Sequence, residues 1–269
     1  MALIGASEVL LFAGVPFVGT YFTPLVWTGY LFFIDGLVQK AGRASPIFRR
    51  TKDFLFLLLL SIGFWLIFEF YNLFIRNWSY VGLPENPVAR YTGYAWAFAT
   101  IWPAILLTEE ALEARGVFAG RRIRPFRLGR PTLLLSLIFG IFCLLLPLAV
   151  PPDLARYLAT PVWLGFIFFL DPLNYWLGGA SLFRELEEGR PGRIWRLLLA
   201  GFICGGLWEF WNFWAEAKWH YTVPILGEVK IFEMPVLGYL GFPPFALECF
   251  TMYAFVRRLT SGPLAIRDG

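Results

Sequence analysis

Phe68-Glu69-Phe70-Tyr71-Asn72 and Trp208-Glu209-Phe210-Trp211-Asn212 are one five-residue element written twice. In each copy an acid and an amide stand three residues apart, on one face of a helix. Each copy lies inside a long apolar run, where a bare carboxylate costs at least a few kcal/mol. Working outward, the agreement spreads. Thr23-Pro24 matches Thr160-Pro161, and Gly29-Tyr30-Leu31-Phe32-Phe33-Ile34-Asp35 matches Gly165-Phe166-Ile167-Phe168-Phe169-Leu170-Asp171. Gly42-Arg43-Ala44-Ser45 matches Gly178-Gly179-Ala180-Ser181, and Trp78-Ser79-Tyr80 matches Trp219-His220-Tyr221. Such agreement between uncommon residues at a nearly constant offset predicts a duplicated unit of about four helices.

Apolar runs near 22–39, 54–76, 93–113, 132–150, 161–178, 196–217 and 235–256 each approach the roughly 20 residues that a spanning helix needs. Residues 2–20 are an eighth candidate, interrupted by Glu8, Gly14, Pro16 and Gly19. The chain is 58% hydrophobic, 19% aromatic and 16% charged, with mean hydropathy +0.62. A soluble fold could not hide that much apolar surface. The runs are continuous and do not alternate, which excludes a sheet-lined barrel. The expected fold is an all-α polytopic bundle of seven or eight spans.

Loops 40–52, 115–130 and 184–196, with the tail from Arg257, hold eighteen of the 23 Lys and Arg residues; loops near 76–92, 151–160 and 218–234 hold five. Basic loops stay cytoplasmic. The C-terminus is therefore expected inside, in a membrane such as a bacterial inner membrane. Both copies then run the same way, so the repeats are parallel, about an axis near the membrane normal. Residues 1–113 form the first repeat, 114–131 a basic cytoplasmic linker and 132–269 the second repeat. No Lys or Arg precedes Lys40, unlike the basic start of a cleaved signal peptide.

Chemistry is narrowed by what is scarce. The single histidine, His220, is expected in an exposed loop, and Cys143, Cys204 and Cys249 lie far apart in apolar runs. Metal and haem ligation are thus unsupported. No phosphate-binding glycine motif appears, and the net charge of +4 is accounted for by the loops without nucleic acid. No cofactor is expected. What remains is carboxylates. Asp35, Asp171, Glu109 and Glu110 lie near the cytoplasmic ends of their spans, within reach of loop arginines. Glu69, Glu209 and Glu248 are deeper and carry a functional presumption. Asn72 and Asn212 are placed to orient the glutamates one turn away. Trp78/Tyr80 and Trp219/Tyr221 read as an interfacial aromatic belt. The helix-breaking stretch before Glu248 points to a sheltered cavity.

Trp208-Glu209, Asn212, Trp219 and Tyr221, followed by Gly241-Phe242-Pro243-Pro244-Phe245-Ala246-Leu247-Glu248-Cys249-Phe250, resemble the lycopene cyclase domain of membrane-embedded carotenoid and terpenoid cyclases. The resemblance covers about half of each repeat, and the Pro-x-Glu-Glu signature of that family is absent. It implies a cofactor-independent enzyme, a cyclase or hydratase, in which a carboxylic acid protonates a polyene lipid. On that reading Glu209 or Glu248 donates the proton, Asn212 orients it, and Asp171 lies at the inner end of the site. Trp208, Trp211 and Phe245 offer π-surface to the substrate, with Glu69 and Asn72 as first-copy counterparts. Glu209 is preferred because Arg76 follows Glu69 by seven residues, whereas Glu216 occupies the corresponding place after Glu209. The partners implied are an isoprenoid and the surrounding lipid. Paired repeats and membrane carboxylates equally suit a proton-coupled transporter, and glutamates that only glue helices suit a scaffold.

Overall fold

The computed structural model describes residues 1–260. Arg267, counted above with the basic tail, lies outside the described residues. The chain is built of helices α1 (Ala2–Phe12), α2 (Pro16–Lys40), α3 (Thr51–Ile75), α4 (Pro87–Ala99), α5 (Ile101–Ala114), α6 (Arg130–Ala149), α7 (Pro152–Ala155), α8 (Ala159–Trp176), α9 (Leu182–Glu187), α10 (Gly192–Trp214) and α11 (Phe242–Thr260). Two short antiparallel ribbons interrupt them. Strand β1 (Trp78–Val81) pairs with β2 (Lys218–Tyr221), and β3 (Lys230–Ile231) with β4 (Met234–Pro235).

Among the described residues four helices, α2, α3, α6 and α10, are long and apolar enough to cross a membrane. Two of them sit centrally and two outside. Helices α2 and α10 bury half or more of their apolar stretch, whereas α3 and α6 bury only 28%. The outward faces of the latter pair carry Leu59, Leu73, Leu135 and Ile138, each more than 60% exposed. An apolar exterior of this extent fits a lipid surface and not water. Helix α8 matches its predicted run, but Asp171 and Asn174 point into the core and lower its hydropathy.

Three expected spans differ. Residues 2–20 do not form one helix. Gly14 has φ +72, and Pro16 opens a new helix, so α1 folds back along α2 with Ile4 against Gly29. Its eleven residues reach about 16 Å, half a hydrocarbon core. The run at 93–113 is two helices, broken at Thr100. Pro103 cannot donate to the carbonyl of Ala99, and Thr100 turns its own hydroxyl back to Ala97 O at 2.7 Å. The run at 235–256 opens as a 3₁₀ turn, Val236–Gly241, before the regular α11.

The basic loops converge at one end of the bundle. There Arg196 bridges Glu109 and Glu113, Arg43 pairs with Glu113, Arg50 with Glu110 and Arg257 with Asp53. The expectation that Glu109 and Glu110 meet arginines is met by these bonds. Asp35 and Asp171 instead fasten the chain that leaves their own helix. Asp35 accepts from Ser45 Oγ and the Ile47 amide; Asp171 accepts from Ser181 Oγ and the Leu182 and Phe183 amides. Each clamp follows a glycine in the left-handed region, Gly42 (φ +83) or Gly178 (φ +71). A side chain there would be strained. The β1–β2 ribbon lies at the opposite end and joins the two halves, with Trp78 opposite Tyr221 and Tyr80 opposite Trp219.

Candidate functional site

A cavity of about 650 Å³ opens beside the β1–β2 ribbon, at the seam between the halves. That volume lies within the roughly 300–1,000 Å³ of small-molecule sites. Its floor is Phe245, in the first turn of α11. Pro243 and Pro244 fit that turn because its amides need no helical partner. Around Phe245 stand Trp65, Phe68, Trp102, Trp163 and Trp208, with ring centroids 5.1–6.2 Å away. Helix α2 contributes Thr23, Pro24 and Trp27 to the wall, near a kink at Tyr21. Pro24 leaves the carbonyl of Thr20 without its helical donor.

Two carboxylates stand behind this aromatic lining, one from each half. Glu69 Oε1 receives Trp65 Nε1 at 2.8 Å, Trp78 Nε1 at 3.1 Å and the Tyr80 hydroxyl at 2.5 Å. Glu209 is fully buried; its Oε1 receives the Tyr221 hydroxyl at 2.8 Å, and its Oε2 has no hydrogen-bond partner among the described residues. Trp219 Nε1 donates to the Tyr221 oxygen at 2.8 Å. Tyr80 and Tyr221 themselves line the cavity. Burial raises both phenols well above their ordinary pKa, and the adjacent glutamate adds to the effect. Both therefore remain hydroxyls.

The Trp-x-Tyr pairs are thus not a lipid-facing belt. They form the ribbon and carry the inner surface of the cavity. The asparagines also do other work than expected. Asn212 donates to Trp219 O at 2.9 Å and accepts from Trp219 N at 3.0 Å. Asn72 binds Trp78 O and the Asn77 and Trp78 amides. Each amide hangs its ribbon strand from the end of the preceding helix, and neither touches its glutamate. Because the ribbon is held this way, the tyrosines reach back to the carboxylates.

The other expected site residues divide. Trp208 and Phe245 line the cavity. Trp211 lies outside that lining, against Trp27 and Tyr30, and donates to Glu8 at 3.2 Å. Glu248 is fully buried one turn beyond Phe245, and among the described residues neither of its oxygens has a hydrogen-bond partner. Asp171 is engaged by its loop, away from the cavity lining. The Arg76 and Glu216 argument fails because both helices end first. Arg76 is the left-handed residue that closes α3. Glu216 follows the end of α10 and turns its carboxylate toward Gly19. His220 is not a free loop residue, since its Nδ1 lies 2.8 Å from Glu233. Sequence reasoning missed Tyr80 and Tyr221 as partners of the glutamates, although they follow Glu69 and Glu209 at nearly equal distances of eleven and twelve residues.

What the arrangement offers is an apolar chamber with π-faces, and two carboxylates that reach it through tyrosine hydroxyls. Among the described residues, no three His, Cys, Asp or Glu side chains cluster as metal ligands would. No protein-family profile, no curated protein and no solved structure matches the chain.

Proposed function

We propose that the protein is an intramembrane isoprenoid-modifying enzyme, an acid-initiated cyclase or hydratase of polyene lipids akin to the lycopene cyclase domain. The observation that carries this reading is the pair of Glu–Tyr units on the walls of one aromatic chamber. The Tyr221 hydroxyl, which donates to Glu209 Oε1 at rest, turns into the chamber and adds its proton to an alkene carbon as the acidic form of Glu209 gives its own proton to the phenolic oxygen. The resulting cation is attacked by a neighbouring double bond, and the flanking tryptophan and phenylalanine faces stabilise its charge. Loss of a proton through Tyr80 to Glu69 restores a double bond, or water adds in the hydratase case. The cyclisation is an isomerisation, so it consumes no oxidant or reductant. One proton leaves Glu209 and one arrives at Glu69; exchange with solvent resets the pair. Glu69 suits the receiving role because three donors converge on its Oε1, whereas Glu209 Oε1 accepts from one and its Oε2 is unpartnered among the described residues.

The finer architecture belongs to the same proposal. Seven runs lie within the membrane, the two repeats are parallel, and the basic end with the C-terminus faces the cytoplasm of a bacterial inner membrane. The matched clamps of Asp35 and Asp171, the matched Asn72 and Asn212 bonds and the self-complementary ribbon register support the duplication. Strands lying across a two-fold axis along the membrane normal run antiparallel, as β1 and β2 do. A second reading, a proton-coupled carrier, draws on Glu248, whose buried oxygens lack partners. The test is expression in a polyene-producing host, with lipid extraction from wild type, Glu209→Gln and Tyr221→Phe. A cyclised or hydrated product in wild type alone is expected. Unchanged lipids together with substrate-driven proton flux in reconstituted vesicles would favour the carrier.

A further inference from the structure

We infer that the ligand of this chamber is an amphiphile, an isoprenoid chain with an anionic phosphate-class head held by Arg90 and Arg156. The inference rests on the isoprenoid reading and specifies its substrate class. Basic residues are scarce at the ribbon end, where the chain places Arg76, Arg90, Arg156, Lys218 and Lys230. Three of these five, Arg90, Arg156 and Lys218, line the one cavity, and its lining contains no Asp or Glu. Lys218 is neutralised by Glu233 at 3.1 Å. The two arginines are not neutralised: among the described residues neither forms an ion pair. Arg90 bonds only to the neutral carbonyls of Pro84 and Glu85, at 2.9 and 3.4 Å, which hold its guanidinium beside the chamber. Glu69 and Glu209 are screened from the space, since they lie behind Tyr80 and Tyr221.

Further polar atoms in the wall lack partners among the described residues: Thr23 Oγ1, Trp27 Nε1 and Asn77 Oδ1 are buried without a hydrogen bond. The first two are donors that an acceptor-rich head can use. The rest of the rim is apolar and exposed, with Tyr157, Ile225, Leu237 and Leu240 between 46% and 72% accessible. A wholly apolar substrate would leave two guanidinia idle at the mouth, and a small free anion would leave the aromatic chamber empty. An anionic head at the arginines with a chain running in toward Phe245 uses both.

The test measures binding of three probes to the purified full-length protein in neutral detergent: geranylgeranyl monophosphate, geranylgeraniol and inorganic phosphate. The phosphate ester should bind at least about tenfold more tightly than the alcohol, and Arg90→Gln or Arg156→Gln should each remove most of that advantage. Alcohol binding should persist in both variants and fall far less than ester binding, and an unchanged helical circular-dichroism spectrum shows that they fold. The advantage should shrink as salt rises. Equal affinity for ester and alcohol would overturn the anionic head while leaving the isoprenoid reading intact. Inorganic phosphate binding as tightly as the ester would overturn the amphiphile in favour of a simple anion site. Binding of neither isoprenoid would overturn the isoprenoid reading, and this inference with it.

Discussion

Tyr221→Phe separates a structural hydroxyl from a proton-relaying one. The substitution keeps the ring, so it opens no cavity. It removes the donor to Glu209 Oε1 and the acceptor of Trp219 Nε1. Since Glu209 Oε2 is already bare, the carboxyl group is left with no hydrogen bond among the described residues. Orphaning a buried polar group costs about 1–3 kcal/mol, so two orphans put the loss at about 2–6 kcal/mol. Tyr80→Phe is the internal control, because Glu69 keeps Trp65 Nε1 and Trp78 Nε1. Its cost is that of one hydrogen bond to a charged group, about 1.5–3 kcal/mol at most. Thermal unfolding of both variants in detergent should therefore rank Tyr221→Phe as the less stable. A double-mutant cycle with Glu209→Gln should show a coupling of about 0.5–3 kcal/mol. Equal melting of the two variants, or simple additivity in the cycle, would refute the inequality of the two Glu–Tyr units on which the donor and acceptor roles rest.

Other outcomes follow from the same contacts. Gly201→Ala should destabilise by about 1–3 kcal/mol or more, because its new Cβ would lie 2.3 Å from Phe242 O; Gly206→Ala, with nothing within 4 Å, should melt like wild type. Arg196→Met should cost about 3–5 kcal/mol, because it leaves the largely buried Glu109 without its 2.7 Å partner, Arg196 itself being only 7% exposed; adding Glu109→Gln should recover part of the loss in the same melting assay. Glu185 is raised from 4.5 to about 7, chiefly by burial and against the pull of Arg193. Its folded pKa exceeds its unfolded value, so its favourable contribution is complete below about pH 4.5 and declines as pH rises to about 7. Glu185→Gln should accordingly raise the melting temperature at pH 8 and have little effect near pH 4.5; a pH-independent difference would argue against this buried acid.

The parts of the fold legible in the sequence are those in which one helix answers to its own residues. The apolar runs of α2, α3, α6, α8 and α10 appear close to where composition places them. Gly42 and Gly178 mark the turns after α2 and α8 because a positive φ is a local demand. Glu209 and Glu69 stand out because a charge inside an apolar run is conspicuous. The remainder depends on partners distant in the chain. Trp78–Val81 is too short to read as a strand, and its mate lies about 140 residues away. Asn212 looks like a companion to Glu209 by helical spacing, but the end of α10 at Trp214 frees the next residues to turn back onto its amide. The break at Thr100 depends on one proline and one hydroxyl in an otherwise continuous apolar stretch. The cavity belongs to neither half alone, so no segment of sequence announces it.

That position at the seam bears on how a unit duplicated as proposed could acquire chemistry. In the proposed two-fold arrangement, each half brings a glutamate, a Trp-x-Tyr strand and an aromatic helix face to a shared chamber. Perfect symmetry would set two identical acids across from each other and give no direction to proton flow. The departures from symmetry supply it. The first copy has Trp65 four residues before Glu69, and its indole donates to the carboxylate; the second has Gly205 four residues before Glu209, against which Phe242 packs within 2.2 Å of where a Cβ would stand. Trp78 donates to Glu69, whereas its ribbon counterpart Trp219 donates to Tyr221 and leaves Glu209 with a single donor. One substitution pair tests whether those differences assign the roles. Trp65→Phe removes a donor from Glu69 while keeping an aromatic wall. It should favour the final deprotonation and shift product away from the water adduct, because a carboxylate stripped of one donor is the stronger base for the cation. Tyr221→Phe should instead suppress all products alike, since it blocks the first proton transfer. Identical product spectra from the two variants would mean that the walls are interchangeable and that the asymmetry has no part in the chemistry.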